Sequence, residues 1–131
     1  MAKTNAQAKP EPQKGMIITQ HLEGKIVESR YVGPIVFDGT LDRDLEVMLR
    51  RYPGMHWLVD ASGATGIDAG RRDFAGNTIQ MFRQMGGGSM AAIVPSGPIR
   101  MVASALSFGF DLRLKIFATR EEGLSFLRSL P

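Results

Sequence analysis

Asp60 and Asp68 bracket the middle of the stretch "HWLVDASGATGIDAG", residues 56–70, with the hydroxyls of Ser62 and Thr65 between them. Two carboxylates can divide the work of a general acid and a general base, provided that their surroundings hold one protonated and the other ionised. The nearest imidazole, His56, opens the apolar run before Asp60 and is expected at the opposite end of that strand. A Ser-His-Asp triad would have to draw on His21 or His56, and no G-x-S-x-G elbow occurs. The two histidines are far apart, with no carboxylate at ligand spacing, so a metal site has no support. Nor do the glycines suit a phosphate: "MGGGSM" lacks the Gly-Lys-Ser/Thr end of a P-loop and follows a helix, and "GATGIDAG" does not fit G-x-G-x-x-G. No catalytic residue, metal or cofactor is expected, and the chain is not read as an enzyme.

The same residues have a simpler assignment. Asp68 or Thr65 would cap the helix that follows, and Asp60 would satisfy loop amides. Their other use is a binding crevice. The loop after residues 56–61 and the Ser96-Gly97 turn should emerge at one end of an α/β sheet, where such sheets bind ligands. Asp60, Ser62, Thr65, Asp68, Ser96 and Arg100 would line it, and Arg71 and Arg72 would flank it for a partner.

The elements that must position these groups are legible in the pattern. "MIITQHL" and "KIVESRYV" are β-branched runs separated by Glu23-Gly24, which predicts an antiparallel hairpin. Leu41, Leu45, Met48 and Leu49 share one helical face, with Thr40 as the expected N-cap and Pro53-Gly54 as the stop. "HWLVDA" reads as a strand buried on both faces. Phe74, Thr78, Phe82 and Met85 mark a second helix closed by Gly86-Gly87-Gly88. "SMAAIV" is another buried strand, and Pro98 opens a third helix with Ile99, Val102, Ala103 and Leu106 inward. "LRLKIFA" alternates like a strand near the sheet edge. The last helix carries a capping box, Thr119 and Glu122, and buries Leu124, Leu127 and Leu130. The fold class is α/β: a small mixed, mostly parallel sheet of about five strands with about four helices.

A chain of 131 residues with 44% hydrophobic content suits one domain with a real core. Residues 1–14 are polar and are expected to form a flexible tail, leaving a single domain over 15–131. Sixteen basic residues against thirteen acidic ones make a mixed surface rather than a nucleic-acid footprint. The chain has no cysteine, shows no secretory-signal pattern and has no apolar stretch of membrane-spanning length, so it is expected in the cytoplasm without membrane insertion. Of its eight methionines, Met48, Met81, Met85, Met90 and Met101 fall on or beside apolar stripes, where core packing explains them. A cavity lined by Met81, Phe82, Met101 and Phe108 for an apolar, lipid-like ligand is the alternative. The hairpin would leave a sheet edge that either pairs with a second copy or is blunted by Lys25, Glu28 and Arg30.

"WLVDASGATGID", "AAIVPSG" and "KIFATREEGLSFL" together resemble the sulfate-transporter and anti-sigma-factor-antagonist (STAS) family over about residues 16–130. The resemblance implies a small sheet with helices largely on one face, no enzymatic activity, and regulation through a protein partner. In the phospho-switched members, the junction after this strand reads Asp-Ser-Ser-Gly and the second serine is phosphorylated. Here the run is Asp68-Ala69-Gly70: the aspartate carries over and no hydroxyl remains at the switch, although Ser62 and Thr65 lie nearby. The chain is most similar to stand-alone bacterial STAS-like proteins, whose fold also resembles lipid-transfer domains of the CRAL-TRIO type.

Overall fold

The computed structural model describes residues 15–35, 39–67, 72–94, 97 and 114–131. The hairpin forms where the pattern puts it. β1 (Met16–Glu23) and β2 (Ile26–Ile35) are antiparallel, and Gly24 takes the tight turn at φ 48°. The chain continues through α1 (Thr40–Arg51), β3 (His56–Ile67), α2 (Arg72–Gln84), β4 (Met90–Ile93), β5 (Leu114–Phe117) and α3 (Arg120–Arg128). The sheet order is β1-β2-β3-β4-β5, with every pair after the first parallel. The helix expected over 99–106 lies outside the described residues.

Each crossover from β2 to β3 and from β3 to β4 moves one strand in the same direction, so right-handed connections put α1 and α2 on one face. There Leu45 and Leu49 of α1 and Ile79 and Phe82 of α2 pack on Val27, Trp57 and Met90. The rings of Trp57 and Phe82 lie 5.3 Å apart and tilted, a geometry that adds about 1 kcal/mol to the burial itself. α3 takes the other face, setting Leu124 and Leu127 on Ile26, Leu58, Ala91 and Ile93. Two of the three described helices therefore share a face.

Local chemistry fixes the helix ends. The Gly86 and Gly87 amides donate to the carbonyls of Arg83 and Phe82, with Gly86 at φ 83°, which is the left-handed stop that ends a helix and releases the chain toward β4. The capping box of α3 is present in both directions, Glu122 N–H to Thr119 Oγ1 and Thr119 N–H to Glu122 Oε1. The start of α1 differs from expectation: Thr40 is already helical, and Gly39 is the N-cap at φ 88° with no side-chain cap. The chain enters this helix through a left-handed backbone that only glycine adopts cheaply. None of the described helices is long and apolar enough to cross a membrane.

Two further differences bear on the site. The supposed loop after residue 61 is strand: β3 runs on to Ile67 and pairs with β2 as far as Ile35. Small residues lower strand propensity, but a neighbouring strand's hydrogen bonds override that. Second, Glu28 and Arg30 belong to β2, which lies between β1 and β3, so they do not blunt the edge. Glu28 is in fact 1% exposed.

α3 lies close to the sheet because Gly123 has no side chain: a Cβ there would stand 2.3 Å from Ile93 Cδ1 and 3.2 Å from Leu58 Cδ1. Gly123→Leu is expected to lower stability by about 2 kcal/mol despite its better helix propensity, because overpacking costs ~1–3 kcal/mol. Urea denaturation measures this, with leucine at exposed Ser125 as the control that leaves stability unchanged or raised.

Candidate functional site

The site is built on β2 and β3, whose residues in register share a face. Glu28 pairs with Leu58, and Asp60 lies two residues further along β3 on that same face, beneath the start of α3. Arg120, the first residue of α3, reaches down so that one guanidinium nitrogen donates to Glu28 Oε2 and, at 3.1 Å, to Asp60 Oδ2. The other Asp60 oxygen, Oδ1, accepts the Ser62 amide at 2.9 Å and the Ser62 hydroxyl at 2.5 Å. Both carboxylates are buried, at 1% and 4% exposure, while Arg120 keeps its side chain partly in water. Placed at the positive end of α3, the two anions also oppose the helix dipole favourably.

This arrangement holds Asp60 rather than arming it. Each oxygen already has a donor, and its nearest titratable neighbours are a fixed arginine and another carboxylate. Among the described residues no three of His, Asp and Glu gather as metal ligands. His56 sits at the other end of β3, where its Nδ1 accepts the Ser89 amide at 3.0 Å.

Beyond Asp60 the sheet narrows. β4 ends at Ile93, opposite Asp60, but β2 and β3 continue to Ile35 and Ile67 and, among the described residues, form a two-stranded arm. Ser62, Gly63 and Thr65 are exposed on it, and Ala64 is half-buried. The arm bends at two register shifts in the β2–β3 pairing, and a Cβ on Gly63 would stand 2.8 Å from the Tyr31 carbonyl oxygen, so only glycine fits there. Below the arm, Tyr31 packs with Ile35, Ala61, Ala92 and Val94. Burial, reinforced by the nearby negative charge of Asp42, pushes its phenol well above the usual range. Asp42 itself accepts the hydroxyl of buried Thr78, which ties α1 to α2.

Of the residues singled out in the sequence, the structure brings Asp60 and Ser62 into direct contact and sets Thr65 three residues along the arm. Arg72 opens α2. Asp68, Arg71, Ser96 and Arg100 lie outside the described residues, as do Met101 and Phe108 of the apolar-ligand alternative. Phe82 is fully buried against Trp57, and half-buried Met81 packs against the same cluster. Glu28 and Arg120 were not foreseen as site residues. The signal was available: in "KIVESRYV" Glu28 alternates in phase with Ile26, which puts a charge on a buried face and demands a partner.

No protein-family model matches the chain, and no curated protein is similar enough in sequence to match it. Solved structures do match. An anti-sigma factor antagonist from Mycobacterium paratuberculosis superposes with a TM-score of 0.62 at 14% identity, over 88% of this chain and 96% of that one. The anti-sigma factor antagonist SpoIIAA in its unphosphorylated form gives 0.64 at 13% identity, over 88% and 100%. An uncharacterised protein of the DUF3478 family with a SpoIIAA-like fold, from Shewanella loihica, gives 0.54 at 14% identity, over 86% and 93%. The fold is that of the anti-sigma-factor antagonists, the SpoIIAA-like or STAS fold.

Two outcomes are expected. Removing one partner of a buried ion pair costs ~3–5 kcal/mol, but the Arg120 side chain is 37% exposed, so solvent offsets part and Arg120→Ala should cost about 2 kcal/mol. Adding Glu28→Gln to that variant should recover part of the loss in a double-mutant cycle read by urea denaturation. The raised phenol of Tyr31 stabilises the fold below the unfolded value of about 10. Above that pH the unfolded chain releases a proton that the folded chain retains, so stability falls. Tyr31→Phe should make the fall above about pH 10 shallower, measured by denaturation across that range.

Proposed function

We propose that this protein is a non-catalytic regulatory module that acts by binding another protein through the far end of β3 and the start of α2. The observation that carries the reading is the arm: past Asp60, β3 is flanked by β2 alone among the described residues, and it displays Ser62, Gly63 and Thr65 to solvent. An exposed strand edge beside a helix start suits recognition of a protein surface or an extended segment. Asp60, the residue best suited to chemistry, is committed to Arg120 and Ser62. Two proteins with the same fold are named as anti-sigma factor antagonists, which supports regulation through a partner. Residues 15–131 would form the module. With Asp68-Ala69-Gly70 in place of Asp-Ser-Ser-Gly, partner engagement would not depend on phosphorylation at that position.

Thr65→Arg, Asp68→Arg and Arg72→Glu, each made in the full chain, should reduce recovery of the specific partner from its own host's lysate. A loss of tenfold or more corresponds to about 1.4 kcal/mol at a central contact. A photo-crosslinking residue at position 65 should capture that same partner, and one at Arg51 should not. If all three variants retain every specific partner, the reading fails.

A further inference from the structure

We infer that β1 is a self-association edge, on which two copies of this chain pair antiparallel about a two-fold axis through Thr19. Among the described residues the sheet has two edges, and they are built differently. β5 is four residues long and carries exposed Lys115, two devices that discourage pairing. β1 has eight residues and no Asp, Glu, Lys or Arg between Met16 and Leu22. It also borders an apolar patch that is exposed among the described residues. Met16, Ile18 and Val32 are 58%, 44% and 48% exposed, and the register Met16↔Val32 and Ile18↔Arg30 places all three on one face. That is the face of α3, which meets β1 at its far end, through Leu22 and the ion pair of Arg128 with Glu23. The right-handed crossovers send α1 and α2 to the opposite face.

The occupant that fits is a second copy. An axis through Thr19 sets Ile18 opposite the partner's Gln20 and Ile17 opposite the partner's His21, and it brings Met16 toward the partner's Leu22. No like charges meet. The shift in register between His21 and Glu23 ends the regular stretch there. Such a contact is isologous and closes after two copies, joining two five-stranded sheets into one. Pairing β1 with β5 would instead propagate head to tail, and Lys115 with the short β5 opposes it. The paired stretch is small, well under the ~1,200 Å² of a strong interface, so dissociation constants on the order of 10–100 μM are expected.

Sedimentation equilibrium of the full chain from about 1 to 500 μM should show a monomer–dimer equilibrium in that range. Ile18→Lys with Gln20→Lys sets two lysine pairs across the axis and should weaken dimerisation about tenfold. Ile18→Glu with Gln20→Lys makes both cross-axis pairs attractive, and within the chain it sets Glu beside Arg30 and Lys beside Glu28, so dimerisation should return to the wild-type level or better. The substituted positions, Ile18 and Gln20, are both exposed, and circular dichroism checks that each variant folds. A chain that stays monomeric to 500 μM overturns the inference. So does open-ended growth, or a dimer indifferent to both double variants.

Discussion

Arg120 satisfies two buried carboxylates at once, and the attachment of the first turn of α3 to the sheet depends on that contact. Glu28 and Asp60 come from different strands and would repel each other across the β2–β3 pairing if left alone. A guanidinium between them turns that repulsion into a link from the sheet to the first turn of α3. The link also explains why Thr119 and Glu122 cap the helix tightly: the residue between sheet and helix has to be held where its side chain can reach down. Ser62 completes the arrangement from the solvent side, so the point where the arm leaves the sheet is anchored on the same carboxylate.

That anchoring separates the two halves of β3. Up to Asp60 it is a central strand, hydrogen-bonded on both sides and covered by helices on both faces. Past Asp60 its partner among the described residues is β2 alone. Among the described residues, that half of the strand is anchored at its root by the Asp60–Ser62 contacts and is open to solvent at Ser62, Gly63 and Thr65. The chain shares its fold with anti-sigma factor antagonists, and identities of 13–14% tie it to those proteins by architecture alone.

The architecture was legible because it is encoded by periodicity. The Leu41, Leu45, Leu49 stripe, the alternation around the hairpin, the Gly86 stop and the Thr119–Glu122 box each state a local geometry that tertiary contacts then reinforce. What escaped the sequence was set by distance along the chain. Ser62 to Gly66 are small and read as a loop, and pairing of β3 with Val32 to Ile35 makes them strand. Glu28 read as a surface charge because Arg120, its partner, lies 92 residues away. Gly39 displaced Thr40 as the cap because a backbone angle, invisible in composition, decided the matter.

The single tryptophan has a practical consequence. Trp57 is 2% exposed, stacks near Phe82, and donates its indole N–H to Ser29 at 2.9 Å, which in turn meets Thr19 at 2.9 Å. Its fluorescence therefore reports on the packing of α1 and α2 over the sheet and is screened by the sheet from events around α3. Undocking of the last helix alone would pass nearly unseen in emission while changing the far-ultraviolet dichroism, so a mismatch between the two optical signals would itself reveal that the faces come apart separately.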